Sequence, residues 1–560
     1  MTTTLDKVTK AQTTYFLTLQ KRMDEDAKLA YLDPYKLVDS KGRPINDTIS
    51  ITMNDPAVFA NAIASILISG KWQTVVEGNI TATQTHKIEN FVDSIDDAAE
   101  DKYPKPGISG IHTFHCNHVC VRGWIGERVL WLTDRQGFTY PDVLPMDMRY
   151  FVYEQGKDGL NWGCYMTYRS AELVKSEYPK ANVRDSDQVL VYDYWDDKVN
   201  EVWIGDYKVL EQKNSLSYPP FVLQPVSAGF MLLDKGYMNR EGESLFFLDR
   251  DLYPELNRLM SIDQTLAMKS IMPPYQKQEA ELTGKNPGYP GGIGAVKTVL
   301  PDEKYELIPQ PDTNQATIVA HQNIQNGVTR GGVTDIDVGN VKQPTSAVSI
   351  TEQSELRNKI LQPRVQALTN LKASRARMLL DQYAEGELGT IEIGSRGLRK
   401  SFDTTVIGDP NDYRVSYRLM TQDKKQKIAN IALADAAQGK LSKDTILRDI
   451  LKSDDPEGEM SKLKAEEAEA FDPVIKFIRL TFSLIDEADK LHEIEKDQKL
   501  IEAKRLAQKC VQLIQQEKTM GVTPPQSQGL EQKGNQAQAL LALPKMFGGG
   551  TGQPQQAVTR

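Results

Sequence analysis

The 560-residue chain is poor in the features that would give it away as a membrane, secreted or catalytic protein. Its longest mainly apolar run, residues 59–68, is well short of the roughly 20 residues that a spanning helix needs. The opening Met-Thr-Thr-Thr-Leu-Asp-Lys lacks the basic-then-apolar order of a signal peptide. Neither membrane insertion nor secretion is expected. Cysteine is scarce: there are four, and only Cys116 and Cys120 are close in sequence. That is the pattern of a reducing compartment, not of a disulfide framework. Positive charge is in deficit, with 67 Lys and Arg against 76 Asp and Glu and a net charge of −9. Tight phosphate binding over a broad surface needs clustered cations and is therefore disfavoured, although brief, weak contact with DNA remains open. No Gly-x-x-x-x-Gly-Lys-Ser/Thr phosphate loop occurs, since Gly70-Lys71 is followed by Trp72. No Gly-x-Ser-x-Gly nucleophile elbow occurs either. Tryptophan is absent after residue 203.

The chain does have length and ordinary globular composition. Hydrophobic residues make up 40% and charged residues 26%, and 560 residues exceed one core, so two to four structural units are expected. All six tryptophans (72, 124, 131, 162, 195 and 203) fall in the first two fifths, which should hold the aromatic core. Residues 5–32 and 56–100 read as helices, with Phe59, Ile63, Ile66 and Leu67 at helical spacing. From Ile111 to Val222 the pattern turns to strands. Residues 148–154 and 160–168 flank Gln-Gly-Lys-Asp-Gly as a hairpin. Residues 189–195, 199–204 and 207–210 read as a meander, turning at Asp196-Asp197-Lys198 and Gly205-Asp206.

Leu252, Leu256, Leu259, Leu266 and Ile271 mark a helix over 251–272, about 33 Å long, stopped by Pro273-Pro274. An excursion rich in turn residues follows to Asp312, with Asn286-Pro-Gly-Tyr-Pro-Gly-Gly292 at its centre. Residues 313–329 form a second helix, and 331–344 a Gly-rich loop. Ser349 and Glu352 have capping-box spacing, and a helix continues to about Tyr383, bent at Pro363. Residues 391–417 read as strands, and 426–437 and 441–451 as helices about Gln438-Gly439. Pro456 occupies the first turn of another helix, and 474–514 is amphipathic helix. From Met520 the chain is rich in Gln, Gly and Pro and reads as a disordered tail. No internal repeat is present.

Two stretches invite a chemical reading. Residues 111–120, Ile-His-Thr-Phe-His-Cys-Asn-His-Val-Cys, hold three of the six histidines and two of the four cysteines. Cys116, His118 and Cys120 would share one face of a strand. Residues i and i+4 of a strand lie about 13 Å apart, so all three cannot hold one zinc ion. With no second cluster to complete a quartet, a half-buried strand with small thiols inside is the better account. No metal and no cofactor are expected, and the protein should purify without stoichiometric zinc. Paired acids such as Asp96-Asp97 and Asp454-Asp455 sit by helix ends, where capping and solvation explain them. The other stretch is the 313–329 helix, which has no Asp, Glu, Lys or Arg in seventeen residues. It could be packed between neighbouring helices. A channel wall passing polyanionic DNA without gripping it would also want neutral polar groups.

The region from Gly242 to Tyr383 resembles the portal (head-to-tail connector) proteins of tailed bacteriophages. The residues that carry the likeness are Gly242-Glu-Ser-Leu245, Leu256-Asn257, and Pro273-Pro274 closing the first helix. Downstream, Pro344-Thr-Ser-Ala-Val-Ser-Ile-Thr-Glu-Gln353 is similar to the start of the family's long helix, although the family's frequent Gly is missing between Ser346 and Ala347. Leu361-Gln-Pro363 is similar to its Leu-x-Pro kink. The strands at 189–210 with Tyr218-Pro-Pro-Phe221 fit, as does Gly439-Lys-Leu-Ser-Lys-Asp-Thr445 through Asp455-Pro-Glu457. The likeness covers residues 110–465. Each motif is weak alone, and their order is specific.

The resemblance implies an α+β, mainly helical fold with wing, stem, clip and crown, assembled as a ring, usually of twelve subunits, at one capsid vertex. Residues 1–245 would be N-terminal helices and a β-rich wing, 246–275 the first stem helix, 276–312 the clip and 313–330 the second stem helix. Residues 331–346 would be the tunnel loop, 347–420 the kinked long helix with wing strands, 421–520 the helical crown and 521–560 the tail. The channel would pass double-stranded DNA without sequence preference during packaging and ejection. The resemblance places Arg330, Gly331, Gly332, Lys342 and Gln343 on the DNA-facing loop. It places Asn314, Gln315, His321, Gln322 and Gln325 on the channel wall, and Asn286, Gly288, Tyr289, Gly291 and Gly292 at the docking tip. Implied partners are further copies of the chain, terminase, head-tail adaptor or tail proteins, and the major capsid and scaffolding proteins, with no membrane. The location would be the virion after assembly in the host cytoplasm. No enzymatic activity is implied. The competing reading is an oligomeric enzyme, zinc-dependent or other, with a helical assembly region.

Overall fold

A computed structural model describes residues 3–271, 275–278, 304–307, 315–331, 347–420, 431, 434–451, 456–488 and 493–520. Short stretches within these ranges (106, 135–136, 158, 180, 182, 184–187, 228–231, 233, 387 and 396) are not described. The chain is α+β, about half helical, and no closed barrel occurs among the described residues. It divides into two compact units, residues 1–422 and 423–560.

In the first unit α1 (Thr4–Lys10) is capped by Thr3, which exchanges hydrogen bonds with Asp6 in a capping box. A π turn at Ala11–Tyr15 leads to α2 (Leu17–Tyr31). An extended segment, residues 33–53, connects it to α3 (Asp55–Ser69), where Pro56 sits in the first turn. The expected 56–100 helix is broken by strand β1 (Lys71–Gly78), and α4 (Ala82–Glu100) follows. The break comes from a distant partner: β1 pairs antiparallel with β14 (Tyr413–Met420) near the end of the unit.

Residues 111–121 form a helix, α5 (Ile111–Val121), and not the expected strand. Its first two amides are bound by the Glu100 carboxylate from the end of α4, both at 2.8 Å. A remote side chain thus supplies the cap that the local sequence lacks. Cys116 and Cys120, one helical turn apart, are both buried.

Strands β2 (Trp124–Thr133), β3 (Thr139–Met146) and β9 (Phe221–Pro225) form a three-stranded antiparallel sheet in the order β3-β2-β9. The expected hairpin and meander join into one five-stranded antiparallel sheet: β4 (Phe151–Gln155), β5 (Leu160–Arg169), β6 (Val189–Asp196), β7 (Val199–Ile204) and β8 (Tyr207–Lys213), with the short helix α6 (Ala171–Glu177) between β5 and β6. Its turns work as the turn chemistry requires. Asp196 Oδ1 accepts from the amides of Lys198 and Val199, both at 2.8 Å. Gly205 takes φ +56°, a region costly for other residues.

Helix α7 (Leu252–Ile271) is followed by the antiparallel pair β10 (Tyr275–Gln278) and β11 (Lys304–Leu307), then by α8 (Gln315–Gly331). Helix α8 runs through Gly331, one residue into the expected loop. The long helix α9 (Ala347–Glu385) is continuous through Pro363 and starts two residues before the expected capping Ser349. The 391–417 stretch resolves into β12 (Ile391–Ile393) paired with β13 (Lys400–Phe402), then a single helical turn, α10 (Thr404–Ile407), and β14.

The main core joins α3, α4, α5, β2 and α9 through Ile63, Leu67, Phe91, Ile95, Cys116, Leu371, Leu379 and Tyr383, all almost fully buried. A second cluster packs the N-terminal helices on the five-stranded sheet through Phe16, Met23, Trp124, Phe151, Trp162 and Tyr194. In the second unit α11 (Pro456–Phe471) has Pro456 at its first position, as expected. Helices α12 (Pro473–Ala488) and α13 (Glu493–Met520) follow and pack together. The expected 426–437 helix is helical at 431 and 434–437; its other residues, and the tail from 521, lie outside the described residues.

Candidate functional site

The candidate site is the α7–α8 pair and the buried charges at its base. Leu252 Cδ1 lies 2.9 Å from the position a Cβ on Gly327 would take, and Asp263 Oδ2 is 3.7 Å from His321 Nδ1. The start of α7 therefore meets the end of α8, and the helices run antiparallel. Gly327 lets them approach closely, because any side chain there would push into Leu252. Exposure along α8 follows the helical period. Ala320, His321, Ile324, Gly327 and Val328 are half-buried, and Val328 packs on the main core. Ile318, Val319, Gln322, Asn323, Gln325 and Asn326 are exposed. Between residues 318 and 328 the outward face is thus neutral: amides with two aliphatic residues. Arg258 on α7 is occupied by Glu255 at 2.6 Å.

Of the residues singled out from sequence, Gln322 and Gln325 lie on the outward face of α8, while His321 is turned toward α7. Gln315 opens α8, and Arg330 and Gly331 are its last two residues. Asn314, Gly332, Lys342 and Gln343 lie outside the described residues, as do Asn286, Gly288, Tyr289, Gly291 and Gly292.

The base of α7 is held by a buried charge cluster that also explains Gly242-Glu-Ser-Leu245. Arg22 on α2 donates to the carbonyls of Asn239, Glu241 and Gly242 and to Glu243 Oε1 at 3.1 Å. Arg250 bonds both oxygens of Asp26, at 2.6 and 2.9 Å, and Glu243 Oε2 at 3.0 Å. Burial depresses Arg22, whereas for Arg250 the hydrogen bonds and charges of Asp26 and Glu243 outweigh burial and raise its pKa. Gly242 has φ +69°, and a Cβ there would fall 2.0 Å from Trp124 Nε1. Ser244 Oγ accepts from the Phe246 amide, and Leu245 is buried, its amide bonded to the Cys120 carbonyl. Sequence reading found the motif, but not Arg22 or Asp26, which come from more than 200 residues upstream.

A second buried cluster ties α9 to the core. Asp96 on α4 pairs with Lys372 and Arg375 of α9, both at 2.8 Å, and Arg375 also meets Glu127 on β2 at 3.4 Å. His115 Nε2 is 3.7 Å from Glu127 Oε2. Glu127 Oε1 and His115 Nε2 have no hydrogen-bond partner among the described residues. Burial, only partly offset by Arg375 and Lys372, raises Glu127 to about 7. Burial and then Arg375 push His115 well below its ordinary value. Asp96 is lowered: burial opposes ionisation, and Arg375 and Lys372 overcome it.

Among the described residues no three His, Cys, Asp or Glu come together as a metal-holding group. Burial raises the Cys116 thiol far above its usual range and Cys120 to about 12, which suits packing and not ligation. A cleft of about 1580 Å³ is walled by Trp124, Trp162, Tyr153, Tyr194 and Phe221. Two of its acids are committed to structure: Glu154 accepts from Trp162 Nε1, and Asp196 holds the β6–β7 turn. No described helix is long and apolar enough to cross a membrane.

No family model matches the chain, and no curated protein matches it. The solved structures similar to it in part include two particle necks. One is the neck of a native GTA particle computed with C12 symmetry: 10% identity over 70% of this chain and 88% of the other, at a TM-score of 0.38. The other is the neck of an empty GTA particle computed with C6 symmetry: 10% identity over 71% and 90%, at a TM-score of 0.39.

Proposed function

We propose that the chain is a portal-type subunit: copies form a ring at one capsid vertex, with a channel for double-stranded viral DNA, and the chain itself is not an enzyme. The observation that carries this reading is the neutral outward face of α8, on a helix held antiparallel to α7 and anchored at its base by buried charges. Met268 on α7 and Ile318 and Val319 on α8 stay exposed in one copy, and neighbouring copies would cover them. A face of amides touches the phosphate backbone without the counterion release that makes binding tight. On this reading α7 and α8 are the stem, 276–312 the clip that docks terminase and later adaptor or tail proteins, 331–346 the tunnel loop and 421–520 the crown. Lys342 supplies the loop's cation, Asp335 and Asp337 offset it, and Arg330 just precedes it.

Electron microscopy of the purified full-length protein should show rings of about twelve copies with a central hole. Only monomer at micromolar concentration across several salt concentrations would sink the reading. With rings in hand, Lys342→Ala should weaken DNA packaging or retention and leave the ring intact. Normal packaging in both that variant and a deletion of residues 335–340 would remove the loop from the DNA path.

A further inference from the structure

Residues 33–53 lie along α7 in a manner that neither core nor function explains. The segment turns back on itself at 39–43: the Asp39 amide donates to the Arg43 carbonyl, and the Ile45 amide to the Leu37 carbonyl. The side chains of Thr52 and Ser50 then accept from the amides of Tyr35 and Leu37, at 2.9 and 3.1 Å. The amides of Ile49, Ile51 and Met53 point the other way, onto α7. They donate to Thr265 Oγ1 at 3.0 Å, Ser261 Oγ at 2.8 Å and Asn257 Oδ1 at 2.8 Å. The two hydroxyls in turn donate to the helix carbonyls of Ser261 and Asn257, both at 2.7 Å. Each hydroxyl thus relays between helix and strap.

The spacing works because two periods agree. Two residues of extended chain advance about 6.6 Å, and four residues of helix about 6.0 Å. Three rungs therefore match with about 1.2 Å of accumulated drift. The ladder has a defined end. The next position in the series toward the start of α7 is Tyr253, which is buried in the core, so a slip by one turn in that direction leaves a rung without its acceptor.

The attachment is otherwise thin. Leu37 is the one buried residue of 33–53, and no residue of the segment belongs to an apolar cluster. Leu32 and Asp47, just before the segment and near its middle, take φ +54° and +56°, an uncommon choice for residues other than glycine. The strap is thus joined to the body by polar bonds of modest net strength.

We propose that residues 33–53 are a releasable strap that holds α7 at one axial position and opens without the body unfolding. The strap reads backbone amides, so the Asn257–Ser261–Thr265 ladder is specific for register and indifferent to strap side chains. The inference rests on contacts within one chain and stands whether or not the protein forms a ring.

Hydrogen exchange on the full chain, resolved to single amides, tests it. In the wild type the amides of Ile49, Ile51 and Met53 should exchange about a hundredfold faster than core amides of α4 and α9. Ser261→Ala should speed exchange at Ile51 by about tenfold, the scale of one net hydrogen bond, and leave α4 and α9 unchanged. Ser261→Thr keeps the hydroxyl and should restore the wild-type rate. Ile51→Pro, which removes the donor itself, should speed exchange at Ile49 and Met53. Strap amides exchanging in step with α4 and α9 in the wild type would overturn the proposal. So would a Ser261→Ala effect of equal size on the strap and on α9.

Discussion

The two buried charge clusters use the same residue types and reach different ends. At the base of α7, the two oxygens of Asp26 and the two of Glu243 each meet a guanidinium, and Arg22 also binds three main-chain carbonyls. Under α9, Arg375 is shared between Asp96 and Glu127, and Glu127 keeps one oxygen without a partner. The first cluster approaches full satisfaction, with Arg22 Nε its one orphaned nitrogen. The second leaves a carboxyl titrating near neutral pH. A carboxylate is tolerated in an interior only when its lone pairs are matched. When they are not, the proton moves instead of the backbone.

Removing a partner from the satisfied cluster should have the largest effect. Arg250→Met leaves Asp26 buried with no cation within bonding distance among the described residues, and should cost about 3–5 kcal/mol of unfolding free energy. Chemical denaturation measures this, and a loss under about 1 kcal/mol would mean that Asp26 is not buried in the folded protein.

Glu127→Gln sharpens the contrast through pH. The folded carboxyl titrates at about 7 against an ordinary 4.5, so its neutral form is favoured by folding. That stabilisation is fully present below pH 4.5 and is lost as pH rises through 7. The variant cannot lose it. Its stability relative to wild type should therefore improve by about 3 kcal/mol between pH 4.5 and pH 8. His115, with its pKa depressed by burial, acts oppositely: it contributes stability above pH 6.5 that is lost on acidification. Denaturation at the two pH values gives the difference directly, and a constant offset would show that Glu127 does not titrate in this window.

The smallest effect is expected where charges meet in the open. Asp263 and His321 approach only to 3.7 Å between α7 and α8, with a quarter to a third of each side chain exposed. Asp263→Asn should cost no more than about 1 kcal/mol. A Tm drop as large as that of Arg250→Met would make this contact a principal tie between α7 and α8.

Several elements could be read from the sequence because their causes are local. The meander of β6, β7 and β8 follows from alternating apolar residues and from Asp196 and Gly205 at the turns. Helix α7 ends where Pro273-Pro274 removes donors. The lack of Asp, Glu, Lys and Arg over residues 313–329 is composition alone, although which of these residues face outward needed the position of α7.

Periodicity, punctuation and charge content are legible along the chain, because each acts over a few neighbouring residues. Features that depend on groups far apart in the chain are settled only when the fold brings those groups together. Residues 111–121 offer both a two-residue and a four-residue pattern, and the Glu100 carboxylate, binding the first two amides, selects the helix. Residues 71–78 became a strand because β14 supplies the missing half of a hydrogen-bond ladder from more than 330 residues away. The charges at the base of α7 and the strap along it are the same kind of fact. Their energy comes from pairing and desolvation, and neither exists until the fold brings the partners together.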